Sequence, residues 1–317
     1  MKNTKIIIGT RASKLALWQA EWVKSEIEKR NPALQVSLEK IKTTGDKILD
    51  VPLAKVGGKG LFVKEIEEAL LDKRIHLAVH SMKDVPTVLP DDLHLRAITK
   101  REDPRDALIS RDGKKLSGLP KGAAIGTSSL RRQSQLLKTR PDLNIVQLRG
   151  NLDTRLRKLD EGQFDAVIVA SAGLNRLGFA DRITELLDPS VSLPAIGQGA
   201  LGIETRKDDE ETNALVAFFD HPDTSSCVRS ERAFLKRLNG GCQVPIAAYA
   251  TLDAGGKNLT LTGLVAAIDG TTFVKNSLTG PRENAEEMGG TLAEKLLKAG
   301  AWDILKDLYE VEPPEGQ

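Results

Sequence analysis

Short apolar runs alternate with helical periods along most of this chain, and that alternation restricts its fold more than any other feature. The run "KIIIG" predicts a buried strand. The segment after it predicts a helix capped by Ser13, with a recurring apolar set of Leu15, Trp18, Trp22 and Ile27. Further strand and helix patterns follow as far as "HLAVHS". This first part of the chain therefore predicts an open α/β domain.

A second series of alternating patterns begins near Arg101 and continues through "FDAVIVAS", which predicts a second α/β domain. The segment "LGIETR" predicts a returning strand, and residues 208–238 predict helix. From Pro245, three alternating strands and one helix near 284–299 predict a small α+β domain. A chain of 317 residues exceeds the size at which single cores stop growing, about 250–300 residues, which also favours several domains.

Composition excludes several classes of protein. The chain is 40% hydrophobic and 28% charged, and it has no unbroken apolar run near the ~20 residues that cross a bilayer. Its N-terminal apolar run, Ile6 to Ile8, is too short for a secretory signal, so we expect a cytoplasmic, soluble protein. A net charge of +2 and an aromatic content of 4% argue against nucleic acid as the partner.

Four turns that follow predicted strands carry arginine, lysine and serine: "GTRAS", "SMKDVPT", "TSSLRRQ" and "RGNLDTR". Ligands of open α/β domains bind beyond the carboxyl ends of the strands. In "GTSSLRRQ", Arg131 and Arg132 fall in the first turn of a helix, where cations oppose the helix dipole unless an anion lies between them. For any single arginine, a solvated surface or an ion pair is the alternative. For the set, a bound carboxylate or phosphate explains the pattern better.

Asp84 is an acid between Lys83 and "VPT" in a set of turns otherwise suited to holding anions. It could be an ion-paired turn residue. It could also stabilise positive charge or move a proton in a pocket crowded with arginine.

Three other patterns resemble binding motifs but do not predict the sites that those motifs form. "GQGALG" precedes a strand rather than a helix, so it does not predict a dinucleotide site. "GGKG" lacks the spacing of a phosphate-binding Walker loop, and the segment 43–60 that contains it could act as a lid. His76 and His80 fall in a strand pattern with no third ligand nearby, so no metal site is expected.

The two cysteines have different surroundings. Cys227 lies on a helical pattern and is interpreted as a packed or exposed thiol, and a disulfide is disfavoured in a reducing compartment. Cys242 follows Gly240 and Gly241, which free the backbone to bring its sulfur close to another group. A small buried residue or a point of covalent attachment would both fit.

Eight segments together resemble the porphobilinogen deaminase (hydroxymethylbilane synthase) family. They are "GTRASKLALWQA", "LAVHSMKDVPT", "REDPRDAL", "GTSSLRRQSQL", "LRGNLDTRLRKL", "ASAGLNRLG", "PAIGQGALGIE" and "NGGCQVPIAAYA". They run in the family's order from about residue 5 to about residue 250, and the rest of the chain matches in pattern only. The resemblance implies a cytoplasmic, monomeric transferase of tetrapyrrole (haem, porphyrin) biosynthesis. It would join four porphobilinogen molecules head to tail, release ammonia, and hydrolyse the product hydroxymethylbilane from the enzyme.

The resemblance also implies two periplasmic-binding-protein-like (type II) α/β domains and a C-terminal α+β domain. Domain 1 would comprise residues 1–99 and 200–217, domain 2 residues 100–199, and domain 3 residues 218–317. Cys242 in domain 3 would hold a dipyrromethane cofactor through a thioether bond. No metal, membrane or nucleic-acid partner is implied.

Site residues are carried over motif by motif. The resemblance implies that Lys83, Ser129, Arg131 and Arg132 hold cofactor carboxylates, while Asp84 binds pyrrole N–H groups of the cofactor and acts in catalysis. Substrate or the growing chain would be held by Arg11, Ser13, Gln19, Thr127, Ser128, Arg149, Arg155 and Arg176, with Gln198 and Gly199 nearby. Each pyrrole ring brings two carboxylates, which would explain the many arginines.

Two other classes stay open. A non-catalytic cytoplasmic anion-binding or ligand-sensing protein of two domains would explain the arginines, since a fold does not imply catalysis. It would not explain Asp84 beside Lys83, and it predicts an unmodified Cys242. A nucleotide-dependent oxidoreductase rests on "GQGALG" alone.

Overall fold

The first of three sheets draws its strands from two separate parts of the chain. The structure is a computed structural model that describes residues 5–47, 63–241 and 244–308. The strand order is β2-β1-β3-β10-β4, in which β1 is parallel to β2 and β3, and β10 is antiparallel to both of its neighbours. The strands are β1 (Lys5–Thr10), β2 (Gln35–Lys40), β3 (Leu77–Ser81), β4 (Leu93–Ile98) and β10 (Leu201–Arg206). The helices are α1 (Lys14–Arg30), α2 (Thr44–Lys47), α3 (Lys64–Leu71) and α7 (Glu210–Val216).

The second sheet repeats this arrangement. Its order is β7-β6-β8-β5-β9, with β6 parallel to β7 and β8, and with β5 antiparallel to β8 and β9. In each sheet the antiparallel inner strand directly follows a connection between the two sheets. The strands are β5 (Asp106–Ser110), β6 (Ala124–Gly126), β7 (Asn144–Val146), β8 (Ala166–Ala170) and β9 (Glu185–Leu186). The helices are α4 (Leu130–Thr139), α5 (Leu152–Asp160) and α6 (Ser171–Arg176).

The third sheet is an antiparallel meander covered by helices. The strands β11 (Ile246–Leu252), β12 (Asn258–Ala266) and β13 (Phe273–Pro281) follow one another in space as in sequence. The helices are α8 (Pro222–Arg237), α9 (Ala285–Leu296) and the short α10 (Trp302–Leu305). Phe234, Leu261 and Leu292 join the two long helices to the sheet in one core. The three sheets confirm the predicted fold class of two α/β domains and a smaller α+β domain.

The inner face of α1 differs in part from the predicted apolar face. Ser13 does cap the helix, because its Oγ accepts a hydrogen bond from Ala16 N at 3.3 Å. Of the predicted residues, Ile27 is buried in the core and Trp22 packs against it, whereas Trp18 is 38% exposed. Ala20 and Val23, which were not predicted, complete the buried face. The error arose because small residues complete a helix face without standing out in a pattern of large apolar residues.

The predicted helix over residues 208–238 is broken in the structure. The helix α7 ends at Val216, and α8 begins at Pro222 after the cap residue His221, whose side chain accepts from Thr224 N. Proline at the first helical position starts a helix readily but interrupts one that is already running. Among the described residues, no helix is both long enough and apolar enough to cross a bilayer.

Candidate active site

The first half of the site is a cavity between the ends of β1 and β3. Arg11 and Ser13 come from the turn after β1, and Ser81 and Asp84 come from the end of β3 and the turn after it. Gln19 Nε2 donates to Ser81 Oγ at 3.0 Å, which fixes α1 against β3 inside the cavity. The lining residues include Arg11, Ser13, Gln19, His80, Ser81 and Asp84. The structure therefore brings together four of the predicted site residues from domain 1.

The turn that carries Asp84 is a single 3₁₀ turn over Met82–Asp84. Val85 N donates to Met82 O at 3.2 Å and closes the turn. Met82 is buried and packs with Val85, Ala200 and Val228 in one apolar cluster. Because the buried side chain of Met82 fixes the turn in the core, Lys83 and Asp84 are held at the end of β3.

The second half of the site lies at the N-terminus of α4. Ser129 caps the helix by accepting from Arg132 N at 3.4 Å, and Thr127 Oγ1 accepts from Ser129 N at 3.2 Å. Ser128 Oγ donates to Leu148 O at 2.8 Å and accepts from Leu148 N at 3.1 Å. The Ser128 hydroxyl therefore holds the backbone just before Arg149, and this gives it a structural task beside its predicted role in binding.

Asp106 is the buried anion of this half-site. Its carboxylate accepts from Arg131 Nη1 at 2.8 Å and from Arg132 Nη2 at 2.8 Å. Ser192 Oγ and Gln198 Nε2 also donate to it, at 2.7 and 2.9 Å. Burial favours the neutral acid, but Arg131 and Arg132 outweigh burial and hold the pKa of Asp106 far below its usual range.

The position of Asp106 shows that the helix-dipole argument for an external anion at the start of α4 was wrong. The helix dipole argument required an anion near Arg131 and Arg132, and Asp106 supplies it from within the protein. An external carboxylate is therefore not needed to explain the two arginines. Their predicted role in holding cofactor carboxylates stays a prediction that rests on the resemblance.

Electrostatic interactions join the two halves of the site. Burial lowers the pKa of Lys83, Asp84 opposes that shift, and Arg132 and Arg155 add to it. Burial also lowers the pKa of the Arg155 guanidinium to about 10, with Arg132 acting in the same direction and Asp84 in the opposite one. Groups from both α/β domains therefore influence one another at this point.

Among the described residues, the charged groups that interact with Lys83 and Arg155 are mostly cations. Arg149 also lowers the pKa of Arg155, so it belongs to the same group of cations. Among the described residues named in these interactions, the cations outnumber the two carboxylates, Asp84 and Asp106. Carboxylates bound here would oppose the lowering of both the Lys83 and the Arg155 pKa, as Asp84 already does. The donor set thus fits a group that carries several carboxylates.

Three other predicted residues lie where the chain passes between the two α/β domains. Arg176 Nη2 donates to Gly199 O at 2.6 Å, and Gln198 Nε2 donates to Pro104 O at 2.5 Å as well as to Asp106. Gly199 has a φ of +94°, and a Cβ there would lie 2.4 Å from Glu102 O, so only glycine fits. Through these contacts, Gln198 and Gly199 shape the connection, and direct contact with substrate stays a prediction.

Glu231, in the third domain, binds both chain segments that connect the two α/β domains. Its carboxylate accepts from Arg101 Nη1 and Nη2 at 2.9 and 2.8 Å, from Gly197 N at 2.7 Å and from Ala250 N at 2.9 Å. Both connecting segments and β11 therefore meet at one buried carboxylate. Neither Glu231 nor Asp106 was predicted as a site residue from the sequence. For Asp106, its place in the quoted segment "REDPRDAL" was the available signal.

Some predictions fall outside the described residues. Cys242 is among them, as is most of the segment 43–60 that was predicted to act as a lid. Cys227, by contrast, is a buried free thiol, and burial raises its pKa to about 11. Within the described parts of the chain, no group of three or more His, Cys, Asp or Glu is placed to hold a metal ion.

The fold and the site together define a class of protein. It is an α/β protein in which two domains form a cationic site around the Asp84 turn, and a third domain contacts the segments that connect them. Comparison with known proteins identifies the family. The family model described as "Porphobilinogen deaminase, dipyromethane cofactor binding domain" matches residues 6–214, and the model of the C-terminal domain matches residues 225–298. The chain belongs to the porphobilinogen deaminase family.

Individual relatives agree over nearly the whole chain. The porphobilinogen deaminase of Geobacter metallireducens is 62% identical over 312 residues, covering 98% of this chain and 97% of its own. That of Geotalea uraniireducens is 63% identical over 305 residues, covering 96% and 95%. Among solved structures, the BvgS periplasmic VFT2 domain of Bordetella pertussis is 15% identical, covers 68% of this chain and 86% of its own, and has a TM-score of 0.41.

Proposed function

We propose that this protein is a hydroxymethylbilane synthase, a transferase that joins four porphobilinogen molecules on a dipyrromethane cofactor held by Cys242. Family membership supports the activity, and the cationic site around Asp84 supports the assignment of residues. The observation that carries the proposal is the convergence of Lys83, Asp84 and Arg155 from two domains. The resemblance also supports a cytoplasmic monomer.

The sheet that β10 completes supports domain boundaries close to those predicted. Because β10 lies between β3 and β4, the chain after residue 200 returns to domain 1. Phe219 packs in the core of that domain, and Phe218 packs against it. These contacts support an end of domain 1 near residue 219, and the boundary between residues 217 and 218 stays a prediction.

The cations have one task in the proposed reaction, which is to hold carboxylates. Acetate and propionate groups on each ring would pair with Lys83, Arg132, Arg149 and Arg155, with Arg11 and Ser13 on the side of domain 1. When bound, dipyrromethane supplies the pyrrole carbon to which the first substrate is joined. Several fixed contacts per ring would orient the substrate and exclude water from the reacting carbon.

Asp84 has a different task, because it carries the negative charge that faces the reacting ring. Its carboxylate would accept a hydrogen bond from a pyrrole N–H and stabilise the positive charge that develops on the substrate when ammonia leaves. It would then help remove the proton from the ring carbon that has formed the new bond.

Intact mass of the denatured protein tests the proposal, because a thioether survives denaturation and a non-covalent ligand does not. We expect the wild type, and a Cys227→Ser control, to exceed the sequence mass by two substrate-derived pyrrole units. Cys242→Ser is expected to show the sequence mass alone and to have no turnover. A wild-type protein that stays unmodified even after incubation with porphobilinogen would contradict the proposal and favour a binding protein without chemistry.

Arg149→Leu is expected to stall elongation rather than binding of the first substrate. The change removes one of the cations that act on Arg155, so carboxylates of an incoming ring lose a partner. Native mass spectrometry should then show enzyme carrying one to three additional rings. Arg157→Leu is the matched control, since Arg157 is an exposed residue of α5 that pairs with Glu161 at 2.5 Å. A product profile like that of the wild type would count against this role for Arg149.

A further inference from the structure

One side chain of the third domain holds the backbone that follows Asp84. Arg232 on α8 donates from Nη1 to Val85 O at 3.0 Å and from Nη2 to Pro86 O at 2.6 Å. A planar guanidinium offers paired donors in a fixed geometry, so two such bonds set direction as well as distance. The contact therefore restricts the two peptide groups that follow Val85 and Pro86, starting one residue after the acid.

Packing from the same helix supports this contact. Val228 lies four residues before Arg232, so both side chains lie on one face of α8. Val228 is buried against Met82 and Val85, the apolar residues on either side of Lys83 and Asp84. The turn thus has an apolar contact from Val228 and a hydrogen-bonded contact from Arg232 just after it. Both residues belong to α8.

A buried carboxylate balances the charge. Burial lowers the pKa of Arg232 to about 10, and Glu204 on β10 acts in the opposite direction. Glu204 is itself buried, and its Oε2 lies 2.8 Å from His80 Nε2. His80 precedes the Asp84 turn and Arg232 holds the chain after it, so Glu204 interacts with a group on each side of the turn.

The helix α8 also leads in sequence to the predicted attachment point, because it ends at Arg237, five residues before Cys242. We propose that Arg232 is a positioning residue that sets the Asp84 turn against α8. This inference rests on the proposed function, since the role of Asp84 does. Arg232 itself touches no reacting atom in this proposal.

Two variants and one control test it. Arg232→Leu removes both donors, Arg232→Lys keeps the charge but not the paired geometry, and Arg229→Leu changes an exposed arginine of the same helix. Per molecule that carries the mass excess, we expect Arg232→Leu to lower kcat about 10–100-fold with KM changed less than about twofold, because small misplacements of a reacting group cost this much. Arg232→Lys should recover part of the rate. Hydrogen exchange at the Val85 amide, which donates to Met82 O, should accelerate in Arg232→Leu and stay unchanged in Arg229→Leu.

The two kinds of readout separate the possible failures. A kcat like that of the wild type in loaded Arg232→Leu, or unchanged exchange at the Val85 amide, would overturn the positioning role. If Arg232→Leu does not fold, Arg232→Lys with full kcat and unchanged exchange would overturn it as well. A wild type without the mass excess would contradict the proposed function instead, and the exchange measurement would still decide whether Arg232 holds the turn.

Discussion

Asp84→Asn is expected to lower kcat by about 10²–10⁴-fold, the range over which a side chain that transfers protons contributes to a rate. Asparagine keeps the size of the side chain and its ability to accept a pyrrole N–H. It lacks the negative charge that stabilises the developing cation, and it cannot take a proton. Steady-state kinetics on protein with a verified mass excess measures the effect. Binding of the first substrate should persist, because the cations that hold its carboxylates are unchanged.

Two further variants separate charge from position. Asp84→Glu keeps the charge but moves it by one methylene group, so its kcat should lie between those of Asp84→Asn and the wild type. Asp91→Asn is the matched control, because Asp91 is an exposed aspartate of the same domain. It should retain the kcat of the wild type. A kcat for Asp84→Asn within about threefold of the wild type, below any value in that range, would refute the assignment of Asp84.

Asp106→Asn is expected to lower the free energy of unfolding by about 3–5 kcal/mol, because it leaves Arg131 and Arg132 buried without their anion. Chemical denaturation monitored by circular dichroism measures the change. Asp160→Asn is the matched control. Asp160 pairs with Arg182 at 2.5 Å, but its side chain is 55% exposed, so the loss should be about 0–1 kcal/mol.

The pH dependence of this effect has a definite sign. The folded-state pKa of Asp106 lies below its unfolded value, so the stabilisation is fully present above the unfolded pKa of about 3.9 and is lost as pH falls toward the folded value. The stability difference between wild type and Asp106→Asn should therefore be constant from neutral pH to about pH 5 and shrink only below about pH 4. A difference under about 1 kcal/mol at neutral pH would show that Asp106 is not the anion of these arginines.

Local patterns predicted the elements that position the site. Ser13 was expected to cap α1 and does, because capping depends on residues three positions apart in the sequence. The first-turn position of Arg131 and Arg132 was also predicted, and Ser129 caps that helix. The alternation of strands and helices placed the site residues at the ends of β1, β3, β6 and β7. The strand β9 was missed because two residues at a sheet edge present no period.

Charge pairing could not be predicted in the same way. The cations after Ser129 suggested an external anion, yet their partner is Asp106, which lies 25 residues earlier than Arg131 in the sequence. Glu231 meets Arg101 across 130 residues, and Arg232 meets Val85 across 147. No periodicity links positions so far apart, and only the packing of domains decides which charges meet.

The sequence by itself therefore determined the fold class, the turns that carry the site, and the family to which the chain belongs, since each depends on local order or on matched motifs. Only the tertiary structure decided how the site is held together. It gave Arg131 and Arg132 their internal anion, joined the connecting segments at Glu231, and set Arg232 against the turn of Asp84. The physical reason is that burial, which makes charge pairing strong, is a property of the assembled domains and not of any one segment.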